Sequence, residues 1–382
     1  MELVAWICRL SRFLKGEKMP RSVLSSSSRD RRAVARWLLL SYAVAGASCG
    51  TGDATGPGGR SPPPALEPVA YEAVGSGKVM FQRIGNDGAF TAVHVIDADA
   101  RRTTTALDTV SSIVFGASLS PSGEAVAGLL WTDWDSCYDV YVTDLSGGHK
   151  KRLSSFSCNS EGPPAWAPDG SEVVFVVQEG YLPSSAWGIY RGEVASGASW
   201  ALRTFAVDTA GWIGCPAASR VLASGQVSVS VQGGLAYICG RDIWGADRPS
   251  DALAALRRGD SLATMAAVAW SPDGDALAFI EVSYGAGSVA SSSLRVQDRA
   301  SGVVRPVATV PGSGSSSWHG SGPASLCWLP GGTRIVFSAP DTGVTSDEPM
   351  RASLYVVGAD GTGLVRLTTA PDAFDSDVSC SR

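Results

Sequence analysis

The chain has 382 residues, 18% of them charged, and a formal net charge of −5. Residues 1–48 hold nine Lys/Arg against three Asp/Glu, which leaves 22 basic and 33 acidic groups, a formal −11, on the rest. That excess of acid opposes a nucleic-acid partner, which needs a clustered basic face, and opposes binding to anionic lipid by charge alone.

The first 48 residues read as an address. Arg29, Arg31, Arg32 and Arg36 precede the apolar run Trp37-Leu38-Leu39-Leu40-Ser41-Tyr42-Ala43-Val44-Ala45. A basic region followed by a short apolar run is a secretory signal, and the run falls short of the roughly 20 residues that span a bilayer. A start at Met19 leaves a signal of ordinary length. Gly46-Ala47-Ser48-Cys49 resembles a bacterial lipobox, with Gly46 where a larger aliphatic residue is usual; the resemblance implies lipidation of Cys49. The alternative is ordinary cleavage after Ala45-Gly46-Ala47, with Cys49 unmodified. Residues 49–74 are rich in Gly and Pro, as in Gly56-Pro57-Gly58-Gly59 and Pro62-Pro63-Pro64, and read as a tether.

From residue 75 the pattern becomes β throughout. Lys78–Phe81, Val93–Ile96 and Thr103–Leu107 read as three strands. A recurring unit follows. Ser120-Pro121-Ser122-Gly123, Trp166-Ala167-Pro168-Asp169-Gly170, Trp270-Ser271-Pro272-Asp273-Gly274 and Trp328-Leu329-Pro330-Gly331-Gly332 each precede an apolar strand. Proline presets φ, aspartate bonds its own backbone and glycine takes the left-handed conformation, so these are hairpin turns, and Asp273 is turn chemistry rather than a site. The prolines are 47, 104 and 58 residues apart. The middle step spans two repeats, which predicts a degraded copy near Pro216-Ala217-Ala218-Ser219-Arg220. Each hairpin is followed by two more strands, for example Leu354–Val357 and Val365–Thr368 around Asp360-Gly361. Four strands in about 40–50 residues is a propeller blade. One further step from Pro330 reaches Arg382, so the C-terminal strand is expected to complete the N-terminal blade. The expected fold is an all-β, six-bladed β-propeller over 75–382, with blades 78–110 (completed by 374–382), 115–156, 161–206, 212–260, 265–310 and 324–370.

The succession Trp-Ser-Pro-Asp-Gly, Leu-Ala-Phe, Leu-Tyr-Val, Asp-Gly and Arg-Leu-Thr resembles the TolB-type propeller repeat over roughly residues 75–382. The resemblance implies fold rather than activity. TolB-type chains carry an α/β domain before the propeller, and residues 50–74 are too few for one, so the resemblance does not extend to a TolB partner.

Six cysteines follow Cys49. An even number in an exported chain permits disulfides. Cys137 and Cys158 flank adjacent strand ends. Cys327 and Cys380 lie on the first strands of the last and first blades, where a bond would fasten the ring. Cys215 and Cys239 pair by elimination. Buried free thiols are the alternative.

No linear motif carries chemistry. Gly259-Asp260-Ser261-Leu262 matches a short esterase motif, but Ser261 has no base: three residues before His319 stands Ser316 rather than Asp. His94, His149 and His319 lack metal-ligand spacing, and Asp133, Asp135 and Asp139 lack the glycine spacing of a calcium loop. No cofactor or metal is expected. In a four-stranded meander the Pro-Asp-Gly turns lie on one face and the longer loops on the other. The long loops carry Trp134, Tyr181, Tyr284 and Trp318, the candidate binding face. The resulting expectation is an exported, lipid-anchored binding or scaffold module of the bacterial envelope, on the outer-membrane or periplasmic side, engaging a protein, peptide or glycan and not an enzyme. The alternatives are a propeller hydrolase or lyase with its site at the channel mouth, or a propeller that gates substrate to a separate hydrolase.

Overall fold

The computed structural model describes residues 69–85, 91–108, 114–132, 137–154, 160–179, 186–205, 227–239, 241–248, 251–260, 262–285, 288–311, 325–341, 351–369 and 373–381. After one helical turn, Tyr71–Val74, every element is a strand. Strands β1 (Lys78–Gly85), β2 (Thr91–Asp97) and β3 (Arg102–Asp108) form a meander. Four separate four-stranded sheets follow. They are β4 (Val114–Leu119) to β7 (Lys151–Arg152), with β5 (Ala125–Thr132) and β6 (Cys137–Asp144) between; β8 (Ser160–Trp166), β9 (Glu172–Glu179), β10 (Ala186–Glu193) and β11 (Ser199–Phe205); β12 (Val227–Val229), β13 (Leu235–Cys239), β14 (Asp242–Ala246) and β15 (Ala254–Arg257); and β16 (Ala263–Trp270), β17 (Ala276–Gly285), β18 (Ser288–Asp298) and β19 (Val304–Thr309). Last come β20 (Leu326–Trp328), β21 (Arg334–Pro340), β22 (Ala352–Gly358), β23 (Val365–Arg366) and β24 (Ala373–Cys380).

The expectation of six separate blades is corrected here: four sheets stand alone. The first and last units are one eight-stranded sheet, joined where β24 leaves β22 through the parallel pair Ala352 and Phe374. The chain crosses there from the last unit into the first. From that point β24 runs antiparallel to β1, with Val79 opposite Cys380 and Gly85 opposite Ala373, so the C-terminal strand does complete the N-terminal meander.

The turns follow the chemistry of the repeats. Gly274 N–H returns to Ser271 O at 3.0 Å with Gly274 at φ 78°. Asp273 Oδ1 accepts from Ser271 Oγ and Asp275 N–H, and these bonds hold its carboxyl below the usual range. The same turn recurs at Ser120–Gly123, Ala167–Gly170 and Leu329–Gly332. The copy expected at 216–220 falls outside the described residues. In the sheet β12–β15 the equivalent turn is Ser230-Val231-Gln232-Gly233, where Gly233 N–H bonds Ser230 O. Val231 and Gln232 stand in the places of Pro and Asp, and Gly233 alone keeps the left-handed backbone, φ 78°.

Among the described residues, buried apolar side chains form six clusters: five lie between neighbouring sheets and one between the two ends of the eight-stranded sheet. The strands alternate in and out of these layers with period 2, so both faces of most sheets are apolar, as in Val173 to Val177. Val79 and Phe81 of β1 pack with Val336 and Leu354 of the last unit. The ring therefore closes by burial as well as by hydrogen bonds.

Candidate functional site

The six strands β4, β8, β12, β16, β20 and β24 each touch the next, and β24 touches β4, so they enclose a central channel. Four of them are bulged. In β4, Gly116 and Ala117 stand between the paired residues Phe115 and Ser118. In β24, Asp377 and Val378 oppose the single residue Phe81. In β16, Ala266 is extra, and β8 is irregular between Glu161 and Ala165. A bulge bends its strand and re-aims a side chain. Here the bulges leave Gly116 at φ 59° and Asp377 at φ 50°, both left-handed.

The channel holds a cavity of about 120 Å³, lined by the C-terminal halves of these strands, among them Ser118, Trp166, Ser228, Trp270, Trp328 and Asp377. In β4, β8, β12, β16 and β20 this half leads towards a short turn, and Pro121 of such a turn also lines the space. The cavity thus occupies the short-turn half of the channel. It is smaller than the ~300 Å³ and upwards of drug-sized pockets, and suits a head group rather than a whole cofactor.

Trp166 and Trp328 stand in equivalent places and do the same work. Trp166 Nε1 donates to Ser118 O at 3.0 Å, and Trp328 Nε1 donates to Ala269 O at 3.1 Å. Each indole ties its own sheet to the inner strand of the sheet before. Trp270 departs from this. Its backbone N–H donates to Ser228 Oγ at 3.0 Å, its buried Nε1 has no partner among the described residues, and Arg299 lies over the ring at 5.3 Å.

Asp377 is the one ionisable residue among those lining the cavity, since Cys327 and Cys380 are bonded to each other. Its Oδ2 accepts from Gly116 N–H at 3.2 Å. Burial outweighs that one bond and pushes the carboxyl up to about 6. On the neighbouring strand β4, Ser118 also lines the cavity; it is only 8% exposed and its Oγ has no partner among the described residues. Asp375, two residues before Asp377, is a different case: Arg83 Nε and Nη2 bind both its oxygens at 2.7 and 2.8 Å, and Thr368 Oγ1 donates to Oδ2 at 2.6 Å.

Of the residues singled out in the sequence, Trp134, Tyr181, Trp318, Cys49, Cys158 and Cys215 lie outside the described residues. Tyr284 is half-buried at the end of β17 against the core shared by the fifth and last units. Cys327 and Cys380 are joined, Cα to Cα 5.6 Å, between β20 and β24. Cys239 is also disulfide-bonded. Cys137 opens β6, and the pairings Cys137–Cys158 and Cys215–Cys239 each involve a residue outside the described ones. Asp139 is structural: its carboxylate accepts from Arg152 Nη2 at 2.9 Å and Ser154 Oγ at 3.0 Å. His94 is buried in β2 and lowered to about 4, by burial first and the Arg83 charge second. Among the described residues no three His, Cys, Asp or Glu form a metal-binding group. Asp377 was not singled out. The signal for it was there, in Asp375-Ser376-Asp377: two acidic residues inside a strand, where aspartate is depleted.

No family model matches this chain, and no curated protein does. Solved structures do. TolB from Acinetobacter baumannii superposes with a TM-score of 0.58 at 16% identity, over 80% of this chain and 66% of that one. An oligogalacturonate lyase in complex with manganese gives 0.50 at 14%, over 80% and 84%. The hydrazine synthase of Kuenenia stuttgartiensis gives 0.53 at 8%, over 82% of this chain and 47% of that one. The chain spans just under two thirds of the TolB chain and about half of the synthase chain. It has the TolB-like β-propeller fold. The expectation that it is not an enzyme is corrected by the same comparison, because this fold also serves a lyase and a synthase. A missing linear motif does not exclude catalysis from residues gathered off several strands.

Proposed function

We propose that this chain is an exported binding module of the bacterial cell envelope, and that its propeller receives a protruding group of a protein, peptide or glycan in the central channel. The observation that carries the reading is the cavity within the closed ring of inner strands, four of them bulged, with Asp377 held in a left-handed conformation on its wall. Strain and bulges of this kind collect where a side chain is presented to a ligand. We read the eight-stranded sheet as two blades, so that the ring has six; the six inner strands and six apolar clusters support this.

The remaining parts fit around that centre. Cys49 is the proposed lipid anchor and 49–74 the tether. The segment 75–77 arrives on the short-turn face, since a side chain at Gly77 would meet Pro330 Cγ at 2.7 Å. Trp134, Tyr181, Tyr284 and Trp318 are proposed as a second contact surface, separate from the cavity. No helix among the described residues is long and apolar enough to cross a bilayer.

The test is binding of the full chain to peptide and glycan arrays, compared with Trp134→Ala/Tyr181→Ala and Asp377→Asn. The reading expects a defined ligand class lost in Asp377→Asn, and loss of a ligand class in Trp134→Ala/Tyr181→Ala as well would add the second surface. Ligands retained by both would overturn it.

A further inference from the structure

We infer that the channel cavity binds a primary ammonium group, of the kind a lysine side chain carries, seated on the Asp377 carboxylate. The inference rests on the channel being the ligand site and names the chemistry it takes.

The acceptors come first. Among the described residues Gly116 N–H is the one donor to the Asp377 carboxylate, and it reaches Oδ2; Oδ1 receives none. Ser118 Oγ, nine-tenths buried on the same wall, also lacks a partner. Ser379 Oγ, which also lines the cavity, is already engaged as an acceptor from Leu119 N–H at 3.0 Å, which ties β24 to β4. Asp377 is itself partly exposed, so its Oδ1 is open to a donor entering the cavity, whereas Ser118 Oγ is buried and unmet and needs one. A primary ammonium offers three donors and no acceptor, with one positive charge to match one carboxylate. A divalent metal asks for more charged oxygens than this wall presents. Trp166 and Trp328 line the same space. The cavity of about 120 Å³ admits an alkylammonium head.

Among the described residues no cation is paired with Asp377. The ionisable groups on the elements packed against β24 are Lys78 and Arg83 on β1, Arg334 on β21 and Tyr355 on β22; β4 and β20 contribute none besides the bonded Cys327. Lys78 Nζ donates to Gly123 O, Arg83 is bound to Asp375, and Arg334 Nη1 donates to Glu72 O and Ala73 O. A cation entering the cavity meets a carboxyl raised to about 6, and must displace its proton to pair with it. Affinity therefore rises with pH across that range and levels off above it.

The experiment is calorimetric titration of the full chain with n-butylammonium at pH 7.5 and pH 5.0. Binding about tenfold tighter at pH 7.5 is expected, following the ionised fraction of a group near 6. Asp377→Asn, which keeps a residue tolerant of the left-handed backbone, should weaken binding at least ~10-fold and abolish the pH dependence. Ser118→Ala should weaken it several-fold with the pH dependence intact. Tetramethylammonium, which cannot donate, should bind far more weakly. N-acetyl-lysine methylamide matching butylammonium would support a side-chain source, and butylammonium binding alone would support a free amine. No binding of either amine at pH 7.5, or equal affinity of wild type and a folded Asp377→Asn, overturns the inference. If that happens while array ligands still bind, the binding-module reading stands without it; amine binding with no array ligand does the reverse.

Discussion

Arg83 and Asp375 form a two-pronged ion pair at the seam where the two ends of the chain meet, 2% and 0% exposed and 2.7 Å apart. It joins β1 to β24, residues 292 apart in sequence. Arg83 Nη2 also donates to Thr369 O, so the guanidinium reaches back to the last unit as well. Arg83→Met strands a buried carboxylate and should cost about 3–5 kcal/mol. Asp375→Ala added to it should recover part of that loss, since no charge is then left alone. Urea unfolding of the two variants decides the matter: a double variant less stable than the single contradicts the account.

The Cys327–Cys380 bond fastens the same seam from the channel side and closes a loop of 53 residues. Chain entropy for a loop of that size gives about 4 kcal/mol. Cys327→Ser/Cys380→Ser should lower the urea midpoint accordingly and remove most of its sensitivity to reductant.

The three repeat tryptophans offer an internal control. Trp166→Phe and Trp328→Phe each leave a buried carbonyl, Ser118 O or Ala269 O, without its indole donor. Trp270→Phe removes an N–H that bonds nothing described. With similar volume lost in all three, the first two should be more destabilising than the third by about 1–2 kcal/mol in thermal or urea unfolding.

Stability should also depend on pH through Asp377. Its folded carboxyl keeps a proton up to about 6, whereas the ordinary value is 3.8. Between those values the folded state binds more protons than the unfolded one, so this group's contribution is fully present below pH 3.8, falls as pH rises and is gone above 6. Because the side chain also borders the open channel, about 1–2 kcal/mol is expected rather than the full two-unit figure. Unfolding free energies of wild type minus Asp377→Asn, measured from pH 4 to 8, should fall by that amount; a flat difference contradicts it.

What could be read from the residues was set by local chemistry. Pro272-Asp273-Gly274 and its echoes specify a turn by themselves, so the propeller, its repeat and the strand exchange between Cys380 and Val79 were legible. The turn of the sheet β12–β15 was not legible because Ser230-Val231-Gln232-Gly233 makes the same hydrogen bond with neither proline nor aspartate. The joining of the first and last units depends on one bridge, Ala352 to Phe374, which leaves no trace in either segment. Asp377 was missed for another reason. A bulge depends on the partner strand, and only the register of β24 against Met80 and Gln82 places that carboxyl on the channel wall.

The most direct measurement is a carboxyl carbon-13 NMR titration of Asp377, assigned by comparison with Asp377→Asn, with and without n-butylammonium. The account predicts a midpoint near 6 in the free protein that moves down when the amine is saturating. A midpoint near 3.8 that the amine leaves unchanged would contradict it.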